Sequence, residues 1–226
     1  MCSRQSHRES PKPWSALVGA GPFNEGHFAK EAFGFVLAAD GGYAHLAGHG
    51  LAPDFALGDF DSLGYVPADV PCEIHPTMKD ASDTALALAW LKARDYEAVA
   101  VYGVLGGQRP EHTFAALASL ARAASEGLRV VAVGEEHMVW AIHSDSQIQG
   151  CLELPALQEG FVSLFAFGGP VAGLSVQGLK YETKGTDLRP DSTLGLSNEF
   201  CGVPSRITLE AGTLLVFTPL LGLPEA

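Results

Sequence analysis

From Trp14 to about Trp140, short apolar runs of strand length alternate with longer Ala- and Leu-rich stretches; after Trp140 the longer stretches stop. This switch constrains the fold more than any other feature. Strands separated by helices return parallel, whereas strands joined by tight turns pair antiparallel. The strand-like runs of the first part are Ser15–Gly19, Phe33–Ala39, Asp54–Gly58, Ala98–Gly103 and Leu128–Val133. Tyr43–His49, Thr84–Ala93 and Thr113–Ser125 predict helices between them. Ser82 reads as an N-cap, with Asp83 in the first turn favouring the positive helix end. Beyond Trp140 the runs are Gln147–Leu154, Gly160–Phe167, Leu174–Leu179, Arg206–Leu209 and Thr213–Thr218, broken by Gly, Pro and Asn. That pattern belongs to an antiparallel sandwich or barrel. The reading is a disordered tail over 1–13, an α/β domain with a mainly parallel sheet over 14–140, and an all-β domain over 141–226. Trp140 reads as a core or boundary residue.

Composition narrows the function. The net charge is −12 and no run of Lys or Arg occurs, which argues against nucleic acid as a partner. An acidic protein can still bind a nucleotide if a divalent cation lies between the two. The four cysteines, Cys2, Cys72, Cys151 and Cys201, form no CxxC pair and read as reduced thiols rather than as a zinc site or disulfide framework. Met1–Pro13 is polar and lacks the apolar core of a secretory signal, and no stretch approaches the ~18 apolar residues of a membrane span. The expectation is a soluble cytoplasmic protein.

The acidic residues fall where strands end. Asp40 closes one strand, Asp59 and Asp61 follow the next, and Asp80 and Asp83 stand at the mouth of a helix. Ligands of open parallel sheets bind beyond the carboxyl ends of the strands, so these aspartates converge on a binding edge. Carboxylates gathered in one place need a cation, and oxygen-only ligands favour magnesium, which prefers a few carboxylates plus substrate phosphates. A lone Asp-Gly is usually only a turn, but Gly58–Ser62 together with Lys79–Asp83 points to function. No GxxxxGK[ST] occurs. Gly19-Ala20-Gly21 begins like a dinucleotide fingerprint, but Asn24 holds its third glycine position, and it reads as a turn. The better phosphate loop is Gly103–Arg109, between a strand and a helix, where backbone N–H groups and the Arg109 fork can meet phosphate. His45 and His49 lie i, i+4 without a third ligand and read as surface residues.

In order along the chain stand Asp40-Gly41-Gly42, Gly58–Ser62, Lys79–Asp83, Gly106–His112, Gly178-Leu179-Lys180-Tyr181 and Ser197-Asn198-Glu199. Together they resemble the motifs of the thiamin pyrophosphokinase family over nearly the whole chain. The chain departs from the family pattern at Ser82, where Thr is usual, at Gln108 and Glu111 in the Arg-x-Asp-His loop, and at Ala116, where Asn is frequent. The resemblance implies a Rossmann-like catalytic domain followed by an antiparallel β-sandwich, and transfer of the pyrophosphoryl group of ATP to the thiamin hydroxyl. It also implies a homodimer with thiamin bound between subunits. Asp59, Asp61 and Asp83 are then the expected magnesium ligands and catalytic residues. Asp40, Gly41 and Gly42 would shape the nucleotide pocket. Ser62, Lys79, Asp80, Ser82, Gly106, Gly107, Arg109 and His112 would serve the nucleotide and its phosphates. Tyr181, Ser197 and Asn198 would line the thiamin pocket. Three rival readings stand beside this one: a pterin pyrophosphokinase, a phosphatase of the haloacid-dehalogenase kind using Asp59 as nucleophile, and a non-catalytic thiamin or nucleotide sensor.

Overall fold

The computed structural model describes residues 12–61, 63–76 and 80–224. The expected tail lies outside the described residues except for Lys12, whose ammonium pairs with Glu97 at 3.1 Å, and Pro13.

The chain begins with β1 (Ser15–Val18), α1 (Glu25–Phe28), β2 (Phe35–Ala39), α2 (Gly42–Gly48), β3 (Phe55–Gly58) and β4 (Cys72–Ile74). It continues through α3 (Asp83–Lys92), β5 (Ala98–Tyr102), α4 (Pro110–Ser125) and β6 (Arg129–Val133). The remainder is all strand: β7 (His137–Ser144), β8 (Cys151–Leu154), β9 (Phe161–Ala166), β10 (Val171–Gln177), β11 (Thr183–Leu188), β12 (Asn198–Glu199), β13 (Ser205–Thr208) and β14 (Gly212–Pro219). An α/β part is thus followed by a β-sandwich, as the periodicity predicts.

Among the described residues one ten-stranded sheet runs in the order β12-β9-β14-β7-β6-β5-β1-β2-β3-β4, and a second sheet in the order β11-β10-β13-β8. β1 to β6 pair in parallel. The direction reverses at β7 because Gly134–Glu136 is too short for a helical crossover, and Gly134 N–H closes a hairpin on His137 O at 2.9 Å. The large sheet is therefore continuous across the expected boundary, which falls inside β7: Trp140 sits between Val131 of β6 and Val216 of β14.

Alternation along each strand divides the core. Leu17, Val99 and Val101 face α3 and α4 with Leu88, Leu91 and Leu120. Ala16, Val18, Ala100 and Tyr102 face the other side, where Trp140, Leu164 and Val216 pack against Leu152, Leu174 and Ile207 of the second sheet. Both faces are covered, which explains the unbroken apolar runs of the parallel strands. Each fully buried Leu or Val contributes roughly 1.5–3 kcal/mol relative to exposure. Periodicity misses β11, which buries only Leu188, and β4, which is three residues long; it also misses the largely buried β7, whose apolar residues run together without alternation. Helix α4 starts at Pro110, three residues before Thr113, because proline at the first helical position needs no N–H partner.

Candidate active site

From β1 the chain builds outward through β2, β3 and β4, then returns to lay β5 on the other side of β1. The carboxyl ends of β1 and β5 thus flank the topological switch point, where open α/β sheets leave a crevice. Glycine keeps that crevice open. Gly19 N–H donates to Tyr102 O at 2.8 Å and Gly21 N–H to Gly103 O at 2.7 Å. A Cβ on Gly103, whose φ is +66°, would lie 2.3 Å from Gly19 O. A cavity of about 470 Å³ opens here, lined by Gly19–Gly21, Ala39, Asp40, Ser82–Thr84, Gly103, Val104, Gly106, Glu111, His112, Ala115 and Ala116. Its size falls within the range of small-molecule sites, roughly 300–1,000 Å³. A second cavity of about 530 Å³ lies between the two sheets near Trp140 and Pro204, away from the acidic strand ends.

Asp40 follows β2 in the left-handed region, φ +46°, with its N–H on Leu57 O at 2.8 Å and its carbonyl accepting from Tyr43 N–H at 3.1 Å. Gly58 closes against it: a Cβ there would lie 3.1 Å from the Asp40 backbone, and its φ is +150°. Phe60, buried and also left-handed at φ +55°, turns the chain between Asp59 and Asp61. The result is that Asp40, Asp59 and Asp61 each offer a carboxylate oxygen within 4.8 Å of the others. Their loop is tied down by Tyr43, whose hydroxyl donates to Asp69 Oδ1 at 2.6 Å; that bond pushes the tyrosine pKa to about 12. Three carboxylates this close repel unless a cation joins them, and an oxygen-only donor set fits magnesium.

The carboxylate cluster that the structure assembles thus includes Asp40, which the sequence reading assigns to the nucleotide pocket. Asp83 lines the same cavity beside Asp40, in the first turn of α3, which Ser82 caps by accepting Ala85 N–H at 3.3 Å. Asp80 instead borders the neighbouring groove between α3 and α4. Gly41 caps α2, and Gly42 lets that helix cross the end of β1: a Cβ would lie 1.9 Å from Val18 O. Ser62 and Lys79 lie outside the described residues.

The expected phosphate loop is bent by Gly106 and Gly107, both at positive φ. Gly106 N–H donates to Thr113 Oγ1 at 3.0 Å, so that amide braces the loop on α4. Arg109 Nε donates to Glu111 Oε1 at 2.7 Å, and both side chains are exposed. This hydrogen bond holds the Glu111 carboxyl below the usual carboxylate range. Glu111 and His112 line the cavity; Arg109 is not among its lining residues.

Tyr181, Ser197 and Asn198 come together elsewhere, at the β12 edge. Asn198 is buried, and its amide clasps the Tyr181 backbone: Oδ1 accepts from Tyr181 N–H at 2.9 Å and Nδ2 donates to Tyr181 O at 2.8 Å. Ser197 is left-handed at φ +59°, its N–H on Ser163 Oγ at 3.0 Å. The Tyr181 ring is left 61% exposed. Asn198→Ala strips both partners from Tyr181 and should destabilise the fold by roughly 1–3 kcal/mol, read from urea denaturation; an unchanged midpoint would contradict the clasp.

Sequence reasoning missed Gly19–Gly21, Ala39, Thr84 and Ala115 as lining residues. The available signal was that Gly19, like Gly103, directly follows an apolar strand.

Comparison with known proteins follows the same division. A sequence model described as the thiamin pyrophosphokinase catalytic domain matches residues 29–132. A second, the thiamin pyrophosphokinase vitamin B1 binding domain, matches residues 152–214. Together they cover well over half of the chain. The thiamine pyrophosphokinase of Bacillus subtilis (strain 168) is 21% identical over 193 residues, covering 80% of this chain and 85% of that protein. The solved structure of thiamine pyrophosphokinase from Bacillus subtilis superposes with a TM-score of 0.77 at 20% identity, covering 91% of this chain and 98% of the other. The yeast thiamin pyrophosphokinase structure gives 0.73 at 13% identity, with 95% and 88% covered.

Proposed function

The chain belongs to the thiamin pyrophosphokinase family, and from that premise we propose how its residues divide the family's reaction, the transfer of a pyrophosphoryl group from ATP to thiamin. The observation that carries the proposal is the convergence of Asp40, Asp59 and Asp61 beside a glycine-floored cavity that Asp83 also lines. Asp40, Asp59 and Asp61 would hold magnesium, and Asp83 would face the same polyphosphate from α3. When bound, magnesium would supply neutralisation of the phosphate charge. The thiamin hydroxyl attacks that phosphorus and AMP leaves. Asp61 or Asp83 orients the hydroxyl and takes its proton. Gly19–Gly21 and Gly103 let the nucleotide approach the backbone, while Ser82 and the Gly106–His112 loop border its phosphates.

Residues 14–140 then serve the nucleotide and 141–226 serve thiamin, although one sheet joins them. That sheet supports a homodimer. β12, which carries Asn198, is eight strand steps from β3, on the order of 40 Å along the sheet. A separation of that order supports thiamin at Tyr181 meeting the aspartates of a partner chain rather than those of its own. Phe161, Tyr181, Leu194 and Leu196 are 55–74% exposed around the β12 edge, an apolar surface suited to a second copy. Among the described residues no helix is long and apolar enough to cross a membrane, and Cys72, Cys151 and Cys201 are free thiols. The thiols support the cytoplasm as the site of action.

Two experiments test this reading. Chelation of divalent ions should abolish thiamin-dependent AMP release, and added magnesium should restore it; turnover undiminished in chelator would remove the metal. Mixing inactive Asp61→Asn chains with Tyr181→Ala chains, at a thiamin concentration too low for the Tyr181→Ala protein alone to turn over, should recover about a quarter of wild-type activity, because half of the sites in each mixed dimer are intact. A mixture as inactive as its components would place both residues in one subunit's site.

A further inference from the structure

The exposed ring of Tyr181 already has a cation over it. Lys180 Nζ lies 5.4 Å from the ring centroid and 2.7 Å from Glu199 Oε1. The backbone holds this arrangement in register: Lys180 N–H donates to Glu199 O at 2.9 Å, and Asn198, next to Glu199, clasps Tyr181 on both its N–H and its C=O. Nearby Glu182 is committed to Gly178 N–H at 2.7 Å, so Glu199 is the carboxylate that faces the ammonium. An aromatic face and a carboxylate together make a cation site. Here that site is filled by a side chain of the protein itself.

We propose that Lys180 is a specificity-determining residue, an internal competitor that occupies the Tyr181–Glu199 cation site until a positively charged substrate ring replaces it. The inference rests on the assignment of Tyr181 to thiamin. A thiazolium brings a permanent charge and a flat face, so it can satisfy Glu199 and stack on Tyr181 at once. A neutral ring entering the same place would leave Glu199 without a counter-ion. Lys180 and Glu199 are 50% and 39% exposed, so the displaced ammonium simply returns to water. Binding is an exchange of one ion pair for another.

The exchange fixes the direction of the test. Removing the competitor should tighten thiamin binding by about three- to tenfold, the range expected for one surface ion pair with a cation–π contact. The experiment measures thiamin KM and ATP KM for the full-length wild type, Lys180→Met, Lys180→Arg and Tyr181→Ala, at low and high salt. Lys180→Met should lower thiamin KM, leave ATP KM in place, and make thiamin KM rise with salt, because an ion pair is now formed rather than exchanged. Lys180→Arg keeps the charge and should behave as wild type. If Tyr181→Ala weakens thiamin binding while Lys180→Met leaves thiamin KM unchanged or raises it, Lys180 is no competitor and the proposal fails. If Tyr181→Ala leaves thiamin KM unchanged, the thiamin site lies elsewhere and the underlying assignment fails with it.

Discussion

Asp61→Asn should cut thiamin diphosphate formation by about a thousandfold or more while the protein stays folded. Loss of one preorganised charge-stabilising group costs on the order of 10²–10³ in turnover, and here the same carboxylate belongs to the cluster proposed to hold magnesium. The substitution keeps side-chain size, and Asp61 is exposed, so its effect on stability should stay within about 0.5 kcal/mol. Asp40, Asp59 and Asp61 each bring a carboxylate oxygen within 4.8 Å of the others, so magnesium sensitivity reads their shared role. Magnesium should stabilise the wild type and have little effect on the variant. Circular dichroism and a melting curve at both magnesium levels check this alongside product assays. Wild-type turnover in a folded Asp61→Asn protein would remove the residue from the chemistry.

A large effect on the fold is expected from Gly103→Ala. A methyl group there meets Gly19 O at 2.3 Å and is forced into the left-handed region at φ +66°. Left-handed backbone costs an alanine about 1–2 kcal/mol and overpacking about 1–3 more. For a chain of this size roughly 3 kcal/mol lowers the melting temperature by about 6–12 °C. Gly19 and Gly103 also floor the cavity, so ATP KM should rise as well. The control is Gly48→Ala, where nothing lies within 4 Å, φ is not left-handed and the residue ends α2. That change should be neutral or stabilise by about 0.5–1 kcal/mol. Equal melting temperatures for the two variants would mean that the β1–β5 contact does not constrain the fold.

The aspartates are legible in the sequence because each follows an apolar run at a point where the chain must turn. Their partnership is less so. Nothing in the spacing says that β2 and β3 lie side by side, and it is Gly58 closing on Asp40 that brings Asp40 to Asp59 and Asp61. Gly19-Ala20-Gly21 reads as a failed fingerprint because its function depends on Gly103, a distant residue that meets it only at the switch point. In the β part several inward-facing strands show in the sequence, while β11, Thr183–Leu188, is polar along nearly its whole length and is recognised only by its pairing with β10. The change of periodicity near Trp140 marks a change from parallel to antiparallel pairing rather than a break in the sheet, since β7 pairs with both halves. Asn198 shows the same limit from another side. Its sequence context resembles that of a substrate contact, yet both ends of its amide are occupied in holding Tyr181, so the proposed role in thiamin binding would run through the tyrosine.

Pyrophosphate moving intact from ATP to thiamin fixes the products. They are read by incubating the protein with ATP and magnesium, with and without thiamin, and quantifying AMP, ADP, phosphate and thiamin diphosphate in the same samples. AMP and thiamin diphosphate should form in equal amounts, with AMP released only when thiamin is present, if intact transfer is the reaction. ADP or free phosphate as the main product, or AMP released without thiamin, would contradict it.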